Sequence, residues 1–206
     1  MNNQSEYKSE VDKIVFLKGE KVILRLVTQA DATSFVTWIN DPQISQYLSR
    51  AFPVDMKSER KWIDSLYPSE NNIVFAVETV EGRLIGTMGL HKINLIDRTA
   101  STGAMIGDVS YHGKGYGTEA KMLLLEYAFN TLNLRKINSE VISFNERSIK
   151  YSLKCGYEIE GRQKAQVYKN GKYHDIVLLA IFKEKWASVF KEYKKTGNLC
   201  STEITA

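Results

Sequence analysis

Met105-Ile-Gly-Asp-Val109-Ser-Tyr-His112-Gly-Lys-Gly-Tyr-Gly117-Thr118-Glu-Ala-Lys-Met-Leu-Leu-Leu-Glu-Tyr-Ala-Phe129 is the stretch that decides how this chain is read. Met105 to Val109 suits the end of a strand. His112 to Gly117 places glycine at every second position and reads as a turn. From Thr118 the apolar residues Ala120, Leu123, Leu124, Tyr127 and Ala128 fall on one face of a helix, expected to end near Asn130. Strand, glycine turn and helix in that order point several unpaired backbone N–H groups, and the positive end of the helix dipole, at one anion. Glycine suits the turn because it tolerates φ > 0 and lets a phosphate approach the backbone. Gly113, Gly115 and Gly117 do not form G-x-G-x-x-G, and Gly113-Lys114 is not followed by Ser or Thr, so neither a dinucleotide fingerprint nor a Walker A loop is present. A plain turn capping a helix is the competing reading; three glycines with Lys114 beside a long amphipathic helix favour an anion site.

Outward from this stretch the chain alternates strands and helices. Ile14 to Leu17 and Lys21 to Val27 flank Lys18-Gly19-Glu20 as a hairpin. Thr28-x-x-Asp31 resembles a capping box, and Ala32, Phe35, Val36 and Ile39 follow with helical spacing until Asn40-Asp41-Pro42. A second helix is expected over Lys57 to Leu66. Ile73 to Glu78, Leu84 to Leu90 and Arg98 to Val109 read as strands. After the central helix come a strand at Lys136 to Ser143 and a Ser143-x-x-Glu146 capping box, with a helix from Asn145 to Lys154 closed by Cys155-Gly156. Strands follow at Tyr157 to Glu160, Ala165 to Lys169 and Tyr173 to Phe182, the last two joined by Asn170-Gly171, a strong hairpin signal. Lys183 to Tyr193 suits a short amphipathic helix. The expected class is α/β, a mixed and mostly antiparallel sheet flanked by helices. Residues 1–12 are expected to be a tail, 13–183 one domain, and 184–206 a helix and tail.

The 206 residues suffice for a single well-filled core. With 43% hydrophobic and 25% charged residues the composition is that of a globular domain. A net charge of +4, not gathered in a run, gives no indication of nucleic acid and suits an anionic ligand. Two cysteines, Cys155 and Cys200, make no disulfide framework. No apolar leader is seen near Met1, and Ile176 to Phe182 is too short to span a bilayer, so a cytoplasmic location is expected. His91, His112 and His174 lack metal-ligand spacing, and no metal is expected.

His112-Gly113-Lys114-Gly115-Tyr116-Gly117 resembles the Gln/Arg-x-x-Gly-x-Gly/Ala pyrophosphate motif of the GNAT superfamily of N-acetyltransferases, with His112 at the Gln or Arg position. Asn145-Glu-Arg-Ser148, Cys155-Gly-Tyr-Glu-Ile-Glu-Gly161 and Tyr168-Lys-Asn-Gly-Lys-Tyr-His-Asp175 are similar to the RimJ/RimL-type branch, as are Lys18-Gly19-Glu20 with Leu24-Arg25 and Trp38 with Asn40-Asp41-Pro42. The resemblance covers roughly residues 14 to 183. It implies a GNAT-like fold and acetyl transfer from acetyl-CoA to a primary amine by direct attack. It also implies that the cosubstrate is held by Met105, Ile106, Gly107, Val109, His112, Gly113, Lys114, Gly115, Tyr116, Gly117, Thr118, Asn145 and Ser148. Arg147 and Lys150 are further phosphate candidates.

Acetyl transfer needs a donor set for the oxyanion, a base for the acceptor ammonium and, optionally, an acid for the thiolate. Backbone N–H groups of Met105 to Val109 are the expected oxyanion donors. Glu78, His91, Asp108 and Glu140 are candidate bases, with Glu140 favoured by its strand. Many superfamily members carry Tyr four residues before the glycine of the Gly-Phe/Tyr pair; here Ser152 occupies that position, with Tyr151 beside it, and both are candidate acids. Trp38, Arg50, Phe52, His91 and Tyr173 are expected at the acceptor site. A protein N-terminal amine is the leading acceptor. A small amine (amino sugar, polyamine or aminoglycoside) is the alternative, and a non-catalytic acyl-CoA-binding module is a third reading. A homodimer is a further expectation, and the C-terminal helix is a candidate for docking on a partner.

Overall fold

The computed structural model describes residues 13–67 and 69–196; the tail expected at 1–12 and, of the helix and tail expected over 184–206, residues 197–206 lie outside the described residues. The chain order is β1 (Val15–Lys18), β2 (Val22–Leu26), α1 (Ala32–Asn40), α2 (Pro42–Ser45), α3 (Met56–Asp64), β3 (Ile73–Thr79), β4 (Leu84–Asn94), β5 (Thr99–Ile106), α4 (Tyr116–Glu126), β6 (Lys136–Ile142), α5 (Glu146–Lys154), β7 (Glu158–Lys169), β8 (Lys172–Phe182) and α6 (Lys183–Thr196). The strands form one eight-stranded sheet in the order β1-β2-β3-β4-β5-β6-β8-β7. Every pairing is antiparallel except β5 with β6.

Alternation along β3 shows how the sheet is covered. Phe75 and Val77 enter the larger core with Leu124, Leu125 and Phe129, whereas Val74 and Ala76 enter a second core with Phe35 and Ile63. Successive side chains of a strand point to opposite faces, so α4 lies on one side of the sheet and α1 and α3 on the other. A strand covered on both faces reads as a continuous apolar run, as Ile73-Val-Phe-Ala-Val77 does.

The feature that creates a site is the parallel pair. β5 and β6 are in register only over Thr99 to Ser101 against Lys136 to Asn138. β5 continues to Ile106 and β6 to Ile142, so the strands diverge and leave a wedge open between them. Thr102 Oγ1 closes the apex by donating to the Asn138 carbonyl at 3.3 Å.

Several boundaries differ from the sequence expectation for local reasons. β5 stops at Ile106, and Val109 begins a 3-10 turn instead of ending the strand. The cap of α5 is Asn145, whose side chain accepts from Ser148 N, so Ser143 is not the capping residue. The two strands expected over 157–169 are one strand, β7, bent by irregularities between Ile159 and Gly161 and between Gln163 and Val167. The helix expected to stop at Tyr193 runs on to Thr196. At the other end of the central helix, Tyr127 to Thr131 forms a π-helical turn.

Candidate active site

The glycine turn is built by its neighbours. The N–H groups of Gly107 and Asp108 both donate to the Ile85 carbonyl, at 2.9 and 3.2 Å, and so are spent on β4. The Trp38 ring lies against Gly107 so closely that a Cβ there would sit 2.1 Å from it. Gly113 and Gly115 adopt φ of 73° and 89°, a region that side-chain-bearing residues rarely enter. Gly115 is the N-cap of α4, no side chain caps this end, and the helix starts at Tyr116, two residues before the expected Thr118. The first-turn N–H groups are therefore left for a ligand.

Cations gather round this turn. His112 bridges two elements, with Nε2 2.7 Å from the Ile106 carbonyl and Nδ1 2.7 Å from Arg147 Nη1. A guanidinium can only donate, so Nδ1 accepts and Nε2 carries the proton, a neutral imidazole that holds Arg147 at the mouth. Lys21, from the β1–β2 turn, brings its ammonium to within 3.5 Å of where a Gly115 Cβ would lie, a neighbour that no local sequence pattern announces. Lys150 lines the same cavity, whereas Lys114 and Tyr116 do not, and Tyr116 packs edge-on against Tyr111.

A cavity of about 770 Å³ runs from this turn through the wedge to the face covered by α1 and α3. At the donor end it is lined by Met105, Ile106, His112, Gly113, Gly115, Gly117, Thr118, Asn145 and Ser148. Gly107 and Val109 lie outside the lining. Met105 is opposite Thr87 and Gly107 N is bonded to Ile85 O. Alternation along the strand therefore turns the N–H groups of Ala104 and Ile106 away from β4, towards the open wedge. Of the backbone donors expected over 105–109, Ile106 is thus left unpaired by β4, as is Ala104 just before that span, whereas Gly107 and Asp108 are not.

The candidate acids and bases separate clearly. Glu78 is buried in an ion triad, accepting from Arg25 Nε at 2.7 Å while Arg25 grips Asp31 with two further bonds. Asp108 pairs with Arg83 at 2.7 Å and caps its own turn through Ser110. Neither lines the cavity; His91 and the exposed Glu140 do. Burial, helped by the charge of Lys92, holds His91 below the ordinary imidazole value, so it is neutral and able to accept a proton near neutral pH. Ser152 is buried on the cavity wall. Tyr151 lines it too, but its hydroxyl donates to the Gly117 carbonyl at 3.0 Å.

Of the expected acceptor residues, Arg50 and His91 line the cavity. Trp38 packs on Gly107, and Phe52 and Tyr173 are 84% and 68% exposed away from the lining. Among the lining residues that the sequence did not single out are two buried charged side chains. Glu59 on α3 is buried with Oε1 lacking any hydrogen-bond partner, and burial raises its pKa against the opposing charge of Arg50. Lys121 on α4 is 2% exposed. The aromatic residues beside Glu59 in the lining, Phe35 and Trp62, come from α1 and α3. Among the described residues no His/Cys/Asp/Glu group of three or more could hold a metal, and no helix is long and apolar enough to cross a membrane.

Comparisons with known proteins agree with this architecture. The Acetyltransferase (GNAT) domain matches residues 21–158. The SPbeta prophage-derived uncharacterized N-acetyltransferase YokL of Bacillus subtilis is 26% identical over 184 residues, covering 84% of this chain and 96% of that one. The spermidine N(1)-acetyltransferase of Escherichia coli is 32% identical over 123 residues, 60% of this chain and 63% of its own. Among solved structures, the spermidine N-acetyltransferase of Vibrio cholerae in complex with CoA and spermine superposes with a TM-score of 0.76 at 25% identity, over 81% of this chain and 98% of that one. A wedge between parallel strands, an uncapped glycine turn at its mouth and a domain match over most of the chain converge on one assignment: the chain belongs to the GNAT acetyltransferase family and is an acetyl-CoA-dependent N-acetyltransferase.

Proposed function

We propose that the chain, as a RimJ/RimL-type member of the family, acetylates a primary amine of a small acceptor that carries a second cationic centre, by direct attack in a ternary complex. The observation that carries this reading is Glu59, a buried carboxyl in the cavity with an unpartnered oxygen. A buried polar atom without a partner costs stability unless a ligand satisfies it. An acceptor ammonium would do so, with the faces of Trp62 and Phe35 to receive its charge. The naming of relatives as spermidine acetyltransferases points the same way.

In this reading the pyrophosphate lies on the first-turn N–H groups of α4, flanked by Lys21 and Arg147. Asn145 and Ser148 meet the pantetheine arm. Ala104 and Ile106 N–H receive the oxyanion. An alkyl ammonium with a pKa near 10.4 must lose about three units' worth of proton affinity before attack, on the order of 4 kcal/mol. Neutral His91, or Glu140 through water, takes that proton.

The test is CoA release with a panel of polyamines, amino sugars and short peptides with free N-termini. Turnover is expected on di- and polyamines. Glu59→Gln is expected to raise the acceptor KM at least tenfold and leave the acetyl-CoA KM unchanged. Faster turnover on peptides than on any diamine would overturn the assignment.

A protein N-terminus is the second reading, favoured by one feature of the rim. Lys169 Nζ donates to the Arg50 carbonyl at 2.9 Å, tying the β7–β8 hairpin, with exposed Tyr168 and Tyr173, to the segment that bears Arg50 and Phe52. An exposed aromatic rim of this kind suits residues beyond a first amino acid. The same panel separates the two.

A further inference from the structure

Lys121 has no role in any of the chemistry above, and its surroundings are unusual for a lysine. It lies on α4 one helical turn past Gly117, at the apex of the wedge. Its Nζ donates to Thr102 Oγ1 at 2.8 Å, and that hydroxyl also bridges to the Asn138 carbonyl and lies 3.2 Å from Tyr157 Oη. The rings of Tyr151 and Tyr157 flank the ammonium with centroids at 5.5 and 5.3 Å. Among the described residues no carboxylate pairs with it. The titratable groups that surround it are the Cys155 thiol, pushed up to about 12 by burial, and the phenols of Tyr151 and Tyr157, both raised by burial. None of them supplies a negative charge at neutral pH. A lysine is almost never fully buried without a counter-charge, and an apolar residue would fill the space at less cost. The cavity it lines is the one in which a thiolate must form.

We infer that Lys121 is the catalytic acid of the reaction: its ammonium stabilises the departing CoA thiolate and gives it a proton, the task otherwise expected of Ser152 or Tyr151. This rests on the placement of the thioester in the wedge proposed above. The acceptor nitrogen pair forms the C–N bond, the carbonyl re-forms, and the C–S pair leaves on sulfur. Lys121 Nζ–H passes its proton to that sulfur, leaving neutral lysine and CoA thiol. Of the two protons lost by the acceptor ammonium, one restores Lys121 through solvent and the other is released.

The energetics suit the task. Burial, opposed only by the neighbouring Cys155 sulfur, lowers the Lys121 pKa to about 8. A thiol near 8.5 is almost matched to it, so the proton moves with little driving force either way, and most of the lysine is still protonated at pH 7. Tyr151 offers no such match, since its phenol is already donating to Gly117 and its pKa is raised.

The decisive measurement uses CoA alone, with no acceptor. The thiol of bound CoA is titrated by thiolate absorbance in the ultraviolet, with desulfo-CoA as blank. Wild-type protein is expected to hold that thiol at least about one pH unit lower than Lys121→Met does. Lys121→Arg, which keeps the charge, is expected to hold it low as well, yet to lose kcat because the guanidinium does not release its proton near neutrality. An unshifted thiol in wild type relative to a folded Lys121→Met would overturn the role of Lys121 alone. Failure of CoA to bind at all would overturn the donor placement with it. Should the Met variant not fold, the wild type decides by 15N NMR of the Lys121 ammonium. Its pKa must rise on binding CoA relative to desulfo-CoA, and equal values would overturn the inference.

Discussion

The Tyr151 hydroxyl donates to the Gly117 carbonyl at 3.0 Å, pinning α5 to the first turn of α4 across the mouth of the wedge. A phenol committed to a backbone carbonyl, and with its pKa raised well above the ordinary value by burial, is a poor proton donor to sulfur. Tyr151→Phe is therefore expected to lower kcat by less than fivefold while costing about 1 kcal/mol of stability for the lost hydrogen bond. Steady-state kinetics beside thermal unfolding checks both. A loss of kcat of a hundredfold or more would return Tyr151 to the list of acids.

Burying Lys121 has a thermodynamic signature separate from catalysis. Its folded pKa of about 8 lies below the ordinary lysine value near 10.5, so between those two pH values the unfolded chain binds more protons than the folded one. Stability from this group must therefore rise as pH climbs from about 8 to 10.5, and the penalty is fully present below 8. The gap of roughly two and a half units is on the order of 3 kcal/mol. Lys121→Met is expected to be the more stable protein at pH 7, with the difference shrinking towards pH 10.5. Denaturant unfolding of both proteins across that range measures it; a Met variant less stable at every pH would show that the ammonium is held by contacts stronger than its desolvation.

How much of this was legible in the sequence follows from which signals are local. The glycine turn, the helix after it and the Asn170-Gly171 hairpin are written in adjacent residues, and each appears where its residues place it. The α5 cap was legible only to within two residues, because Ser143 and Asn145 both carry capping side chains and the choice depends on where β6 releases the chain. Glu59, Lys21 and Lys121 were not legible as site residues at all. Each is a charged residue on a helix or turn, for which solvent exposure is the ordinary expectation, and only the approach of distant elements brings each to the site. Nothing local marks Glu78 as paired either, since its partner Arg25 is 53 residues away. The aromatics expected at the acceptor site, Phe52 and Tyr173, sit on segments whose orientation periodicity does not fix.

The His112 bridge makes a claim about cosubstrate binding. Its Nε2–H is fixed by the Ile106 carbonyl, leaving Nδ1 to hold Arg147 over the glycine turn, where the Tyr47 ring also receives the guanidinium at 5.9 Å. His112→Phe keeps the ring and removes both bonds. The acetyl-CoA KM is expected to rise three- to tenfold with kcat nearly unchanged, because an Arg147 released into solvent still carries its charge but loses its orientation. Arg147→Ala should cost the same or more, and the double variant little beyond it, since the two residues act as one unit. Additive losses in that cycle would show that His112 meets the phosphates by itself.

Glu119 on α4 ties the β1–β2 turn to that helix. Its carboxylate accepts from the backbone N–H groups of Glu20, Lys21 and Val22 at 2.7, 2.8 and 3.1 Å, and Gly19 leaves room for it, since a Cβ there would lie 2.6 Å from Oε1. One side chain thus satisfies three donors of the β1–β2 turn, and it sets the turn from which Lys21 reaches Gly115. Glu119→Ala leaves those donors unpaired in a partly buried place, at a cost of about 2–4 kcal/mol for charge-assisted bonds. It should also raise the acetyl-CoA KM, because Lys21 loses its anchor. Glu119→Gln keeps the side-chain oxygen as acceptor for part of the set and is expected to fall between the two. Lys21→Ala separates the effects: it should reproduce the change in KM with no loss in denaturation midpoint, since the Lys21 backbone N–H remains bonded to Glu119. A Glu119→Ala protein with wild-type stability would show that water replaces the carboxylate at the turn, and the link from Glu119 to the cosubstrate would then have no mechanical basis.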